Sequence, residues 1–223
     1  MRTGSCLLAL GVVALFATRM DAQTCSGSAA FSAGPVQLGA GLGTSEGFKS
    51  YGLDVAAGAK AGPYAWANLA RAEYADVDGS ATGVGVGAGY AIDLTRARTM
   101  QFCPEASISH WSGPDFDYYT QRVTTSFRAV ALGGTFGGVV RVAPMLDLVP
   151  FVGAYYRHDR ASATLDGATD SQSEEYSEID VGAGFVINRT LTLRPSVDIP
   201  VGLDGAKSEL RFSFSYNFGA TKH

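Results

Sequence analysis

The decapeptide ELRFSFSYNF, Glu209 to Phe218, alternates throughout: Leu210, Phe212, Phe214, Tyr216 and Phe218 stand against Glu209, Arg211, Ser213, Ser215 and Asn217. Successive side chains of an extended chain point to opposite faces. This stretch is therefore a strand with one greasy, aromatic face and one face carrying charge of both signs. Two environments suit it. In a soluble barrel or sandwich the aromatic face is core, whereas in a membrane-spanning barrel it meets lipid and the charged face looks into a polar lumen.

The N-terminus bears on that choice. Arg2, the apolar run Cys6 to Ala17 and small Ala22 before Gln23 have the three parts of an export signal, so residues 1–22 are read as a signal peptide and 23–223 as one barrel domain. The apolar run falls short of the roughly 20 residues a spanning helix needs. No later segment reaches 18 consecutive apolar residues, which excludes a helical membrane protein. The 17 basic and 21 acidic side chains give a net charge of −4 without a basic cluster, and nucleic acid is excluded as a partner.

Alternation recurs along the whole chain. Strands are read at about residues 34–43, 50–60, 64–75, 81–93, 101–111, 122–142, 146–158, 176–188 and after Arg189, before the last at 209–218. Val84, Val86, Ala88, Tyr90 and Ile92 alternate with Gly83, Gly85, Gly87, Gly89 and Ala91. Glycine at every second position weakens a strand unless something approaches closely from that side; long charged side chains from other strands are the expected occupants. The sixth strand loses its phase around Gly133-Gly134, where a bulge is expected. Strands of this length exceed the usual five or six residues and suit tilted membrane strands. Short turns at one end and longer polar loops at the other, among them 113–120 and an acidic loop over 159–175, fit periplasmic and external ends. The expected fold is all-β: a closed antiparallel up-and-down transmembrane β-barrel of ten strands, or eight if the weak first strand does not form.

The two faces then carry separate expectations. Tyr51, Tyr64, Trp66, Tyr74, Tyr156 and Phe218 are assigned to outward aromatic girdles. Asp54, Arg71, Glu73, Asp93, Glu105, Arg128, Arg157, Glu178, Asp180, Arg194, Asp198 and Arg211 are assigned to a lumen charge network of nearly balanced sign. Buried charges persist when paired, so the lumen is expected to be largely closed. Cys25 and Cys103 either close one disulfide, as an exported chain permits, or stay as free thiols. Neither has a histidine near it in sequence, so no metal is assigned. Ser109 and His110 point to opposite faces, and His158 lacks a nucleophile and orienting carboxylate; no catalytic residue and no cofactor are assigned. Asp115, Asp117, Asp166, Asp170 and Glu174 are read as solvated loop acids.

The signal segment, the glycine-spaced ATGVGVGAGYAIDL and the terminal LRFSFSYNF together resemble the OmpA-like and opacity-type outer-membrane barrels of Gram-negative bacteria. The resemblance implies a cell-outer-membrane, non-enzymatic, monomeric protein. Outer-membrane lipid and, during biogenesis, the barrel-assembly machinery are the implied partners. Its implied work is surface interaction or membrane integrity, with a narrow porin-like channel and a soluble lipocalin-like barrel as alternatives.

Overall fold

The computed structural model describes residues 24–28, 30–31, 34–75, 79–118, 121–203 and 205–218. The signal segment and most of the DVDG turn lie outside them. Twelve strands follow a 3₁₀ turn at Cys25–Gly27: β1 (Val36–Ser45), β2 (Phe48–Gly58), β3 (Gly62–Tyr74), β4 (Ser80–Asp93), β5 (Met100–Ser112), β6 (Phe116–Tyr118), β7 (Gln121–Gly138), β8 (Val140–Ala143), β9 (Leu146–Leu165), β10 (Ala168–Ile187), β11 (Leu191–Val201) and β12 (Glu209–Phe218). β6 is a short flap on β7, and β8 continues β7 beyond Val139. The remaining ten strands form a closed ring in which β1 pairs with β12 and β7 bridges β5 and β9, all antiparallel. Ten, not eight, is the count.

The ladders fix the shear. From Ala40, partners lead through Leu53, Leu69, Val84, His110, Arg128 and Arg160 to Ser173 on β10. Through Phe214 and Leu193 they lead instead to Phe185. The two arrivals are 12 residues apart. With ten strands, that shear tilts the strands by about 40° to the barrel axis.

The apolar faces point away from the axis. Leu53, Leu69, Val84, Val86, Leu132, Leu210 and Phe212 are all exposed, and so are Phe214, Tyr216 and Phe218. An apolar belt of this kind is stable only in contact with acyl chains, which overturns the soluble lipocalin-like alternative. Short turns close the end near residues 59–61, 94–99, 144–145 and 188–190, the periplasmic end.

Several sequence expectations need correction. The bulge is not at Gly133-Gly134, through which β7 pairs regularly with β9; the break comes at Val139, with a register shift between Arg141 and Ala143. The acidic loop over 159–175 is a continued hairpin: β9 and β10 stay paired to a two-residue turn at Asp166-Gly167, both with positive φ. Charged and hydroxyl residues read as loop because, above the membrane, neither face of a strand needs to be apolar. The β1–β2 connection is likewise short, only Glu46-Gly47.

Two strands have the opposite phase to that expected. On β3, Tyr64 (9% exposed) and Trp66 face the lumen, while Leu69, Arg71 and Glu73 face outward. Tyr64 and Trp66 are thus not girdle residues, and Arg71 and Glu73 are not lumen charges. Tyr74 shares the lumen-side phase and leans on Phe48 at the outer rim, ring centroids 5.5 Å apart. On β7, Ala129 is buried and Val130 and Leu132 are exposed, so Arg128 also faces outward. In both strands the outward charges sit above the apolar belt, where alternation no longer separates lipid from lumen. Tyr51, Tyr156 and Phe218 do face outward.

Candidate functional site

The lumen is built on β4, whose glycines leave flat ground. A Cβ at Gly83 would strike Trp111, at Gly85 the Asn68 amide, at Gly87 the Trp66 indole and at Gly89 the Tyr64 ring. The expected occupants were charged side chains. The actual ones are rings and an amide from β3 and β5, because these neighbouring strands lean their inward residues over the groove.

Beside this floor, Glu105 of β5, the ladder partner of Gly89, accepts hydrogen bonds from the hydroxyls of Tyr64 (2.5 Å) and Tyr155 (2.9 Å). Arg157 on β9 donates to Glu178 at 2.8 Å and lies 3.7 Å from Asp159. Arg211 on β12 bridges Asp198 at 2.6 Å and Glu209 at 2.8 Å. Arg194 donates to Ser213 Oγ at 3.0 Å, stacks on Phe151, and lies within electrostatic reach of Asp54 and Asp180. Asp93, at the periplasmic rim, accepts from Gln101 at 2.7 Å and pairs with Arg98 at 3.2 Å. Asp54, Glu105, Arg157, Glu178, Asp180, Arg194, Asp198 and Arg211 therefore share one interior.

That interior holds a cavity of 430 Å³. Asp54, Glu105, Glu178, Asp180 and Asp198 line it against Arg157, Arg194 and Arg211. Five acids to three arginines is an excess of two carboxylates, the same as in the set expected from sequence, because Glu73 and Asp93 drop out of the lining together with Arg71 and Arg128.

The floor of the cavity is the chain's own start. Residues 24–28, 30 and 31 lie against inward-facing side chains at the periplasmic end of the barrel. Thr24 N donates to Gln101 Oε1 at 2.7 Å, and Thr24 Oγ1 donates to the Gly137 carbonyl at 3.2 Å. Phe31 N donates to Asn217 Oδ1 at 3.2 Å, and Gln37 Nε2 donates to Ser28 Oγ at 3.0 Å. A disulfide joins Cys25 to Cys103 of β5, Cα atoms 6.0 Å apart. Gly137 and Gly184 permit this approach, since a Cβ at either would collide with the Thr24 or Gly27 backbone. Sequence reasoning missed the plug, though the signal was present. Cys103 is on the inward phase of β5, so a bond to it draws Cys25 into the barrel.

Among the described residues no cluster of His, Cys, Asp and Glu is arranged to hold a metal ion. The fold and its lipid-facing belt define an integral β-barrel membrane protein with an acidic lumen that Cys25, Ser28, Ala30 and Phe31 help to line. The sequence matches the model of the outer membrane protein beta-barrel domain over residues 8–218, and the chain belongs to that family, whose place is the cell outer membrane. Comparison with curated proteins finds no match. Among solved structures it is similar to the N-terminal β-barrel domain of Pseudomonas aeruginosa OprF, at 15% identity and a TM-score of 0.39. It is also similar to Ail, the attachment invasion locus protein of Yersinia pestis (14%, 0.41), and to Neisserial surface protein A (14%, 0.39). Each similarity covers 82% of this chain and 96% of the other.

Proposed function

We propose that this chain is a non-catalytic outer-membrane barrel, closed at its periplasmic end, that acts through its outer surface. The observation that supports this is the N-terminal segment seated in the lumen and tied to β5 by the Cys25–Cys103 bond. A tethered plug serves a wall better than a pore. What the barrel offers outward is the β9–β10 hairpin, whose Ala163, Leu165 and Ala168 line an open hollow together with Phe116 and Val123 of the β6–β7 flap. The hollow lies on a polar ribbon beyond the membrane, suited to surface interaction.

The experiment is conductance of the oxidised, full-length protein in planar bilayers. The proposal expects no steady open level. A stable ohmic level before any reductant is added would overturn it.

A narrow pore is the second reading, favoured by the acidic excess around the cavity. It expects the Cys25→Ser/Cys103→Ser variant to conduct and to prefer cations, since a low-dielectric passage lined by one sign of charge concentrates the opposite ion.

A further inference from the structure

The cavity inside the barrel has two unlike walls. On one, the Trp66 indole lies over Gly87 and the Trp111 indole over Gly83, so that flat rings from β3 and β5 cover β4. Going round the ten paired strands, β11 stands five places from β4, on the far side of the lumen. There Asp198 of β11 faces Asp180, its ladder partner on β10, and both carboxylates line the cavity.

Each wall has unused binding capacity. Asp198 is 3% exposed; its Oδ2 meets Arg211 at 2.6 Å, whereas its Oδ1 accepts no hydrogen bond. Asp180 Oδ1 and Thr192 Oγ1 are likewise buried without a partner, and Thr192, 1% exposed, lines the same cavity. Buried polar atoms are costly to leave unpaired, and three of them in one cavity call for a donor from outside the chain. The indoles are as free. Among the described residues the lumen arginines stack elsewhere, Arg157 over Tyr176 and Arg194 over Phe151.

The chemistry of the two walls identifies that donor as a cation with an apolar body. Carboxylates exceed arginines by two around the cavity, so a guest of two positive charges neutralises it. A metal ion would use the carboxylates alone, and among the described residues no cluster is arranged to hold one. An alkylammonium uses both walls: its N–H groups donate to the free carboxylate oxygens, while its methylenes and its charge lie against the indole faces. The volume of 430 Å³ is within the range of small-molecule sites.

We infer that the lumen binds a small aliphatic diamine, one ammonium group at Asp180 and Asp198 and the other over the Trp66 indole. Cys25 and Phe31 line the cavity at its periplasmic end, so the guest enters from the outer end. The inference goes beyond the closed-wall reading and does not rest on it: binding is read at equilibrium, and a conducting barrel would leave it untouched.

The test titrates the oxidised, full-length protein in zwitterionic micelles with 1,4-diaminobutane at constant ionic strength and neutral pH. Trp66 and Trp111 are the chain's two tryptophans, so emission reports the site directly, and native mass spectrometry counts the bound guests. Wild type should show a saturable emission change with one diamine bound. Butylamine, with a single charge, should bind about tenfold more weakly, and 1,4-butanediol not at all. Magnesium at the same concentration should not displace the diamine. Asp180→Asn/Asp198→Asn should weaken diamine binding by about tenfold or more, while Glu73→Gln, on the outward face, should leave it unchanged. No saturable change in wild type, equal affinity for butylamine, displacement by magnesium, an unchanged affinity in the double variant or an equal loss in Glu73→Gln would each overturn the inference. Heat-modifiable gel mobility reports folding. Should the double variant not fold, Asp198→Asn, which leaves Arg211 its pair with Glu209 at 2.8 Å, should alone weaken binding about threefold, and no weakening would likewise overturn it.

Discussion

The glycine floor under the lumen rings makes a quantitative prediction at Gly87. A Cβ there would lie 2.5 Å from Cε2 and Cζ2 of Trp66 and 2.8 Å from its Nε1. Carbon atoms pack best at about 3.5–4.0 Å, so Gly87→Ala must push the indole back by about 1 Å into an occupied lumen. Overpacking of this kind costs about 1–3 kcal/mol, while relief of the strand-glycine entropy returns about 0.5–1 kcal/mol. The net expectation is a loss of about 1–2 kcal/mol. Gly41 is the control: its Cβ would meet Ser213 Cβ at 3.6 Å, an ordinary contact. Gly41→Ala should therefore be neutral or stabilising by up to about 1 kcal/mol. Urea unfolding in micelles, followed by tryptophan emission, measures both. The chain has only two tryptophans, Trp66 over Gly87 and Trp111 over Gly83, so emission reports this floor directly. The reasoning fails if Gly87→Ala is as stable as wild type with unchanged emission, or if the two glycines respond alike.

Other sites give further expectations. Glu105→Ala strands the hydroxyls of Tyr64 and Tyr155 and should cost about 1–3 kcal/mol per unpaired phenol, whereas Glu105→Gln keeps one acceptor oxygen and should cost less; equal midpoints for the two variants in the same urea assay would count against this. On the lipid face, Phe214→Arg at mid-strand should cost about 2–4 kcal/mol and Leu210→Arg near the outer rim about 0–1 kcal/mol. The reverse order would mean that the belt is misplaced. Beyond the membrane, hydrogen bonds from Tyr156 and then His158 hold the Glu175 carboxyl below its ordinary value of 4.5. A depressed carboxylate contributes stability that is present above its unfolded value and lost as pH falls through the folded one. Hydrogen exchange in the β9–β10 hairpin should therefore quicken below about pH 4.5 in wild type and lose that dependence in Glu175→Gln; identical pH profiles would refute it.

Legibility in the sequence followed the physics of each face. β12 was readable to the residue because Phe212, Phe214 and Tyr216 lie wholly within the belt, where only apolar side chains are tolerated outward. The outward sets of β2, β4, β9, β10 and β11 were readable for the same reason. β3 misled because small Ala65 and Ala67 face lipid while Tyr64 and Trp66 fill the lumen. Residue size favours the wrong face, and only the glycines of the neighbouring strand reveal it. Arg71, Glu73 and Arg128 misled because they stand beyond the belt, where water replaces lipid and a charged outward face carries no penalty. Long-range facts, such as which ring lies on which glycine and how deep Cys25 reaches, depend on register and shear, which no single strand encodes.

The outward phase of Arg71, Glu73 and Arg128 sets how charge is distributed above the belt. Outward charge above the belt is compensated on one side of the barrel: Glu73 stands two residues from Arg71 on β3 and accepts from Tyr51 at 3.2 Å. Further around the barrel, Glu175 of β10 stands one row below Arg160 and pairs with His158 of β9 at 3.3 Å, and there β9 and β10 continue beyond the membrane. The hairpin rises from this pair, with Arg160 donating to Ser171 across its two strands. Above it, the inner side of the hairpin and Phe116 and Val123 of the β6–β7 flap line an open apolar hollow. Phe116→Ser should accordingly quicken hydrogen exchange in the hairpin residues above Arg160 while leaving β2 and β3 unchanged. Uniform quickening around the barrel would instead indicate general destabilisation.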